Sequence, residues 1–200
     1  MPTRRGPRVK VSRRLGVDLD LKSRSHALER RPFPPGQHGR SARPRRTRSV
    51  YLRQLEEKQK ARFFYGVREK EMRRYVQEAA RTRRSTVQLV ERRLDNVLAR
   101  LPLAATRAQA RQFISHGHVL VNRDRVDVPS YLVDAGDEVR IKPGSSVEPL
   151  AREAIDRMAT VPPWLQLDRE ELTGKVLHLP GREEVQVPFD EPLIVEYYSR

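Results

Sequence analysis

Guanidinium groups are the side chains of this sequence best suited to chemistry, and the chemistry they offer is anion binding. Arg4, Arg5, Arg8, Lys10, Arg13 and Arg14 crowd the first fourteen positions, and Arg43-Pro-Arg-Arg-Thr-Arg48, which contains Arg45 and Arg46, sets four arginines in six. A planar guanidinium grips phosphate through two N–H bonds and stacks on bases, which favours nucleic acid over other polyanions. The plainer alternative is a solvated basic tail without a defined target. Residues 1–50 carry 15 basic and 3 acidic side chains, whereas the last quarter is net acidic. Over all 200 residues, 41 Lys+Arg face 26 Asp+Glu, a formal charge of +15, so the electrostatic grip lies in the first half.

Other chemistries find little support. The absence of cysteine removes disulfides, thiolate metal sites and thiol nucleophiles together. The histidines stand at 26, 38, 116, 118 and 178, and the close pair His116 and His118 lacks a third ligand nearby, so neither metal nor cofactor is expected. Glu56-Glu57 and Glu170-Glu171 read as solvated surface, and no nucleotide-binding glycine loop or Ser/His/Asp order appears. No apolar run is long enough to span a bilayer, and the basic half lacks the apolar face of an interfacial helix, so no membrane partner is expected. The expectation is a soluble, cytoplasmic protein.

The elements that must position these residues can be read from pattern. Residues 1–48 hold few apolar side chains, and Arg31-Pro-Phe-Pro-Pro-Gly-Gln-His-Gly39 is broken by prolines and glycines, so this stretch is expected to order on a partner. Ser49 can cap a helix that Tyr65-Gly66 interrupts. A second helix over 68–81 carries Met72, Tyr75, Val76 and Ala79 as its apolar stripe, and a third over 86–101 turns Val87, Val90, Leu94, Val97 and Leu98 inward. Thr106-Arg-Ala-Gln109 has the form of a capping box, with Arg107 and Arg111 one turn apart beside that helix N-terminus. Gly117 suits the left-handed cap at the helix end. Strands are expected over 118–121, 125–128 and 137–141, a compact α+β unit with a small antiparallel sheet.

Several motifs carry a resemblance. Arg93-Leu-Asp-Asn-Val97, Thr106-Arg-Ala-Gln-Ala-Arg-Gln112, Ser115-His-Gly-His118, Val121-Asn122 and Pro129-Ser-Tyr131 resemble the S-four-type RNA-binding domain. Arg13-Arg14, Asp18, Leu21-Lys-Ser23, Pro35-Gly-Gln-His-Gly39, Lys58-Gln-Lys60, Tyr65-Gly-Val67, Pro163-Trp-Leu165 and Leu193-Ile-Val-Glu-Tyr-Tyr-Ser199 are similar to the S-four family of small-subunit ribosomal proteins, in register from about residue 6 to the end. Arg93-Leu-Asp95 also spells a tripeptide of pseudouridine synthases, but no separate catalytic domain remains, and no enzyme is expected.

The resemblance implies an α+β fold: a mainly helical domain, an inserted S-four-type domain of two short helices and a small antiparallel sheet, and a basic N-terminal extension. The expected boundaries are 1–48 for the extension, 49–91 for the helical domain, 92–155 for the inserted domain and 156–200 for a segment returning to the helical domain. It implies binding of small-subunit ribosomal RNA at a multi-helix junction of the 5′ domain early in assembly, contact with a neighbouring ribosomal protein that bears on accuracy, and, as in some members, repression of the protein's own messenger RNA. A free-standing RNA chaperone is the alternative, although it would not need the extension or the C-terminal return. Beside the clustered arginines above, the contact set it implies is Lys22, Gln37, His38, Lys58, Arg62, Tyr65, Arg68, Arg93, Arg107, Arg111, His116, His118, Asn122, Ser130 and Tyr131. Many members hold zinc with cysteines in the extension; this chain, lacking them, must order it by RNA and packing alone. Relatives often place Gly after the hairpin Asn, where this chain has Asn122-Arg123, so Asn122 or Asp124 is expected to take the left-handed position instead of Arg123.

Overall fold

The computed structural model describes residues 7–21, 27–40, 49–157 and 160–199. The chain is α+β and divides into two compact units, one of Met1–Glu78 with Val187–Arg200 and one of Ala79–Gln186.

The first unit is helical. It contains α1 (Arg8–Leu15), α2 (Ala27–Arg30), α3 (Val50–Tyr65), most of α4 (Glu69–Thr82) and, from the far end of the chain, α9 (Glu191–Tyr198). Ser49 caps α3 by accepting from the Leu52 N–H at 3.2 Å, as its position before the apolar run predicts, and the helix stops at Gly66. The α4 stripe Met72, Tyr75, Val76 and Ala79 is buried. Phe64 and Tyr65 meet Phe189 edge-on at 6.0 and 5.9 Å, and Gln54 of α3 donates to Glu196 of α9 at 2.8 Å. Aromatic packing and this hydrogen bond therefore fix the C-terminal helix to α3.

The second unit packs α5 (Thr86–Glu91), α6 (Leu94–Arg100), α7 (Arg107–Ser115) and α8 (Glu148–Arg157) with a five-stranded antiparallel sheet. The strands are β1 (Val119–Val121), β2 (Asp124–Arg125), β3 (Glu138–Ile141), β4 (Leu165–Asp168) and β5 (Thr173–Val176), in the order β2-β1-β3-β5-β4. Val119, Val121, Val139, Ile141 and Val176 share one core with Leu94, Val97, Leu98, Ala110, Phe113, Ile114 and Trp164.

Five expectations are revised. The helix expected over 86–101 is two, because Arg93 is extended (φ −66°, ψ 137°) and pairs with Leu132 in a β-bridge. The Leu94 and Asp95 N–H groups then donate to the Tyr131 and Pro129 carbonyls at 2.8 and 3.2 Å, so the 129–131 loop satisfies the start of α6 in place of a side-chain cap. The sheet has five strands, not three, because 165–176 joins it; only the chain from Val187 returns to the helical unit, and 79–91 belongs with the sheet. Thr106 caps α7 as expected, accepting from the Gln109 N–H at 3.2 Å, but Gln109 reaches back to the Ala105 N–H (2.8 Å), one residue before the cap, while a complete capping box forms at Ser85 and Gln88. Finally, Arg123 does take a positive φ (77°), together with Asn122 (50°), whereas Asp124 does not. Val121 opposes Asp124, leaving Asn122 and Arg123 as a two-residue loop. The right-handed strand twist demands positive φ at both central positions of such a loop. The Asn122 side chain locks it, donating to Asp137 and accepting from the Glu138 N–H.

Candidate nucleic-acid interface

Arg4, Arg5, Lys22, Arg45 and Arg46 lie outside the described residues. The remaining candidates fall into three groups, separated by whether their charge is already committed within the protein.

The first group lies in the N-terminal segment. Lys10 and Arg14 are exposed on α1 without a partner among the described residues. Arg13 faces inward to the 31–34 loop: its guanidinium donates to the Arg31, Phe33 and Pro34 carbonyls at 3.0–3.4 Å and lies over the Phe33 ring at 5.1 Å. Arg8 donates to the Leu21 carbonyl at 3.3 Å. The Pro35–Gly39 turn closes through a Gly39 N–H to Gly36 carbonyl bond of 3.1 Å, and the Pro34 carbonyl occupies the space a Gly39 side chain would need. Close backbone approach explains that glycine, and the turn holds Gln37 and His38 outward.

The second group is on α3 and α4. Lys58 is 4% exposed; its ammonium donates to both Glu69 oxygens at 3.1 Å and sits 4.5 Å over the Tyr197 ring. Arg62 reaches the same carboxylate at 2.9 Å, and the Tyr198 hydroxyl donates to it at 2.8 Å. Partial burial alone would raise the Glu69 pKa, but the Tyr198 and Lys58 hydrogen bonds and the Lys58 and Arg62 charges outweigh it and hold the carboxyl below its ordinary value. Burial and this carboxylate push the Tyr198 phenol up. Tyr65 is also buried. Burial therefore takes Lys58 and Tyr65 off the contact surface, leaving Arg68 exposed and Arg62 half-buried.

The third group surrounds α6 and α7. Asp95 is fully buried and accepts from Arg93 at 3.0 and 2.9 Å and from Arg111 at 3.1 and 2.5 Å. Beside it, Asn96 donates to the Val90 carbonyl at 2.7 Å and accepts from Arg107 at 2.9 Å. Buried Glu91 takes Arg100 in a bidentate pair, and Arg92 bonds Asp134 and the Val133 carbonyl. Arg93 is thus an internal cation, and Arg107 and Arg111 are half-buried and tethered by the residues that start α6. Sequence reasoning singled out Arg93, Arg107 and Arg111 and placed Asp95 and Asn96 in a family motif without giving them partners; Glu91, Arg92 and Arg100 it missed. Their signal was polar side chains embedded in the apolar run 87–104, where burial forces a partner.

Beyond α7, Gly117 adopts φ +74° at the helix end, and the Arg125 guanidinium lies against the face where a side chain would sit. His116 is exposed, and His118 Nδ1 is 2.9 Å from the Ser145 hydroxyl. Asn122 is committed to its turn, Ser130 is half-buried, and the Tyr131 ring is exposed. Among the described residues, no group of three or more His, Asp or Glu is arranged to hold a metal, and no helix is long and apolar enough to cross a membrane.

Residues 3–95 match the model of the ribosomal protein S4/S9 N-terminal domain, and residues 92–139 match the S4 domain. The tethered α6–α7 start, β1, β2 and the first residues of β3 lie in the second match. Over 201 residues the chain is 47% identical to the small ribosomal subunit protein uS4 of Persephonella marina, covering 97% of each chain. It is 48% identical to the proteins of the same name from Akkermansia muciniphila and Roseiflexus sp., each with 98% coverage of both chains. With two adjoining family matches and relatives this similar from end to end, the chain belongs to the uS4 family of small ribosomal subunit proteins.

Proposed function

We propose that this protein is a structural, non-catalytic component of the small ribosomal subunit in the cytoplasm, and that it binds ribosomal RNA directly. The end-to-end likeness to uS4 proteins carries the reading, and the location of the uncommitted cations supports it. Lys10, Arg14 and Arg68 are exposed cations of the helical unit, and the 35–39 turn presents Gln37 and His38. Phosphate contacts by such groups give affinity, whereas specificity comes from RNA shape, because side chains cannot read the deep major groove of A-form RNA.

The finer reading is that the protein nucleates assembly at a 5′-domain multi-helix junction, influences accuracy by contacting a neighbouring small-subunit protein, and represses its own message. A salt titration of binding to that junction RNA, against a scrambled junction of equal length, tests its core. Preference for the true junction that persists at high salt is expected. Equal binding that vanishes for both RNAs as salt rises would reject shape recognition and leave a general RNA-coating protein.

A further inference from the structure

The cations of the second unit divide by face. On the helical side, Arg92, Arg93, Arg100, Arg107 and Arg111 each hydrogen-bond a side chain within the unit, four of them through carboxylates. The other side of the sheet is different. Leu120 is directly opposite Arg125 on β2 and Arg140 on β3, and directly paired residues project to the same face. His118 and Lys142, two residues from Leu120 and Arg140, extend that row, and the Lys142 N–H donates to the His118 carbonyl at 2.9 Å. Neighbours Val119, Val121, Val139 and Ile141 point the opposite way, into the core shared with α7. Arg125 and Lys142 are exposed and Arg140 half-buried.

Among the described residues, Arg125, Arg140 and Lys142 form no ion pair, and the Arg140 Nε–H has no hydrogen-bond partner at all. Glu138 and Asp168 share this face, and among the described residues neither pairs with these three cations. Glu138 is directly opposite Lys175, and Asp168, on the far edge strand, accepts from the Glu170 and Glu171 N–H groups of its own turn. The Arg125 guanidinium is folded against Gly117, which carries the positive row to the His116–His118 turn. Three unneutralised cations in a row around one half-buried leucine form an electrostatic match to a phosphodiester backbone. A folded acidic protein would more readily engage a surface of paired charges around an apolar centre.

We infer that the open face of the sheet, through Arg125, Arg140 and Lys142, is a second phosphate-binding surface for ribosomal RNA, on the opposite side of the sheet from α7. The inference rests on the ribosomal-RNA reading above and extends it: the sheet unit adds phosphate contacts of its own to those of the exposed cations in the helical unit. The surface is sequence-blind, since guanidinium and ammonium groups on strands meet backbone phosphates and not base edges.

The test uses the full chain and the junction fragment of small-subunit ribosomal RNA. The combined variant Arg125→Gln, Arg140→Gln, Lys142→Gln should keep its preference for the true junction while the slope of log affinity against log salt falls by about 2 to 3, near 0.7–0.9 for each phosphate the variant no longer neutralises. As a check independent of that variant's folding, Lys142 of the unsubstituted protein should be protected from amine acetylation when the RNA is bound. An unchanged slope with Lys142 equally reactive in free and bound protein overturns the inference. Protection of Lys142 only after neighbouring ribosomal proteins are added overturns it too, and assigns the face to a protein. Failure of the unsubstituted protein to prefer the true junction is a separate result, which sinks the functional reading itself.

Discussion

Arg111 on α7 and Asp95 on α6 form a 2.5 Å ion pair across sixteen residues, and the carboxylate at its centre is fully buried. Arg93 completes the set from the other side. One carboxylate thus joins the extended residue that separates α5 from α6 to the helix that follows. The arrangement makes Asp95 a hub of the S4-domain fold, with α7 held through it.

Breaking that hub should be costly. Asp95→Asn removes the buried carboxylate that Arg93 and Arg111 share, and removing one partner of a buried pair costs about 3–5 kcal/mol. Urea denaturation of the full chain should show a loss of that order. A loss below about 1 kcal/mol would mean that solvent reaches the site and that the pair is not buried in solution.

Lys58 should behave as an internal clamp. Lys58→Met removes its bonds to Glu69 and its contact with Tyr197, so α9 should exchange its amide hydrogens faster, while the salt slope for junction RNA stays as it was. A slope reduced by about 0.7–0.9 would instead return Lys58 to the RNA surface.

The same clamp predicts an acid response. Glu69 has a folded pKa below its ordinary value, so its pairing stabilises the helical unit above the ordinary carboxylate range. That contribution shrinks as pH falls below the unfolded value and is lost once pH passes the depressed folded value. Protection of α9 amides, corrected for intrinsic exchange, should fall over this acid window. Glu69→Gln should have weaker protection at neutral pH and lose this part of the pH dependence; a Gln variant with the parent's full acid profile would contradict the assignment.

The hairpin makes a prediction of opposite sign. Arg123 sits at φ 77°, where a side chain costs roughly 1–2 kcal/mol relative to the right-handed region. Arg123→Gly should therefore raise stability by about 0.5–1 kcal/mol, the residual gain after glycine's larger unfolded entropy. A destabilised variant would show that the Arg123 side chain makes a compensating contact.

Much was legible from residue order alone, because it depends on neighbours a few positions apart. The Ser49 cap, the stop at Gly66, the α4 stripe of Met72, Tyr75, Val76 and Ala79, the left-handed Gly117 and the β1–β2 hairpin all follow from helical or strand periodicity and turn chemistry. The family was legible as well, since its motifs are local strings. Charge segregation toward the first half likewise needs only counting.

Tertiary structure alone decided which cations remain available. Lys58 and Arg93 look like surface charges in the sequence, yet each finds a carboxylate inside a fold whose burial is set by distant segments: α9 closes over Lys58 from 139 residues away at Tyr197, and the 129–132 loop covers Arg93. The two added strands were hidden for the same reason. Thr173–Val176 pairs with β3 from far along the chain and Leu165–Asp168 pairs in turn with it, a long-range register that no local pattern records. A charge is free or spent according to what long-range folding places beside it, and periodicity carries no record of that.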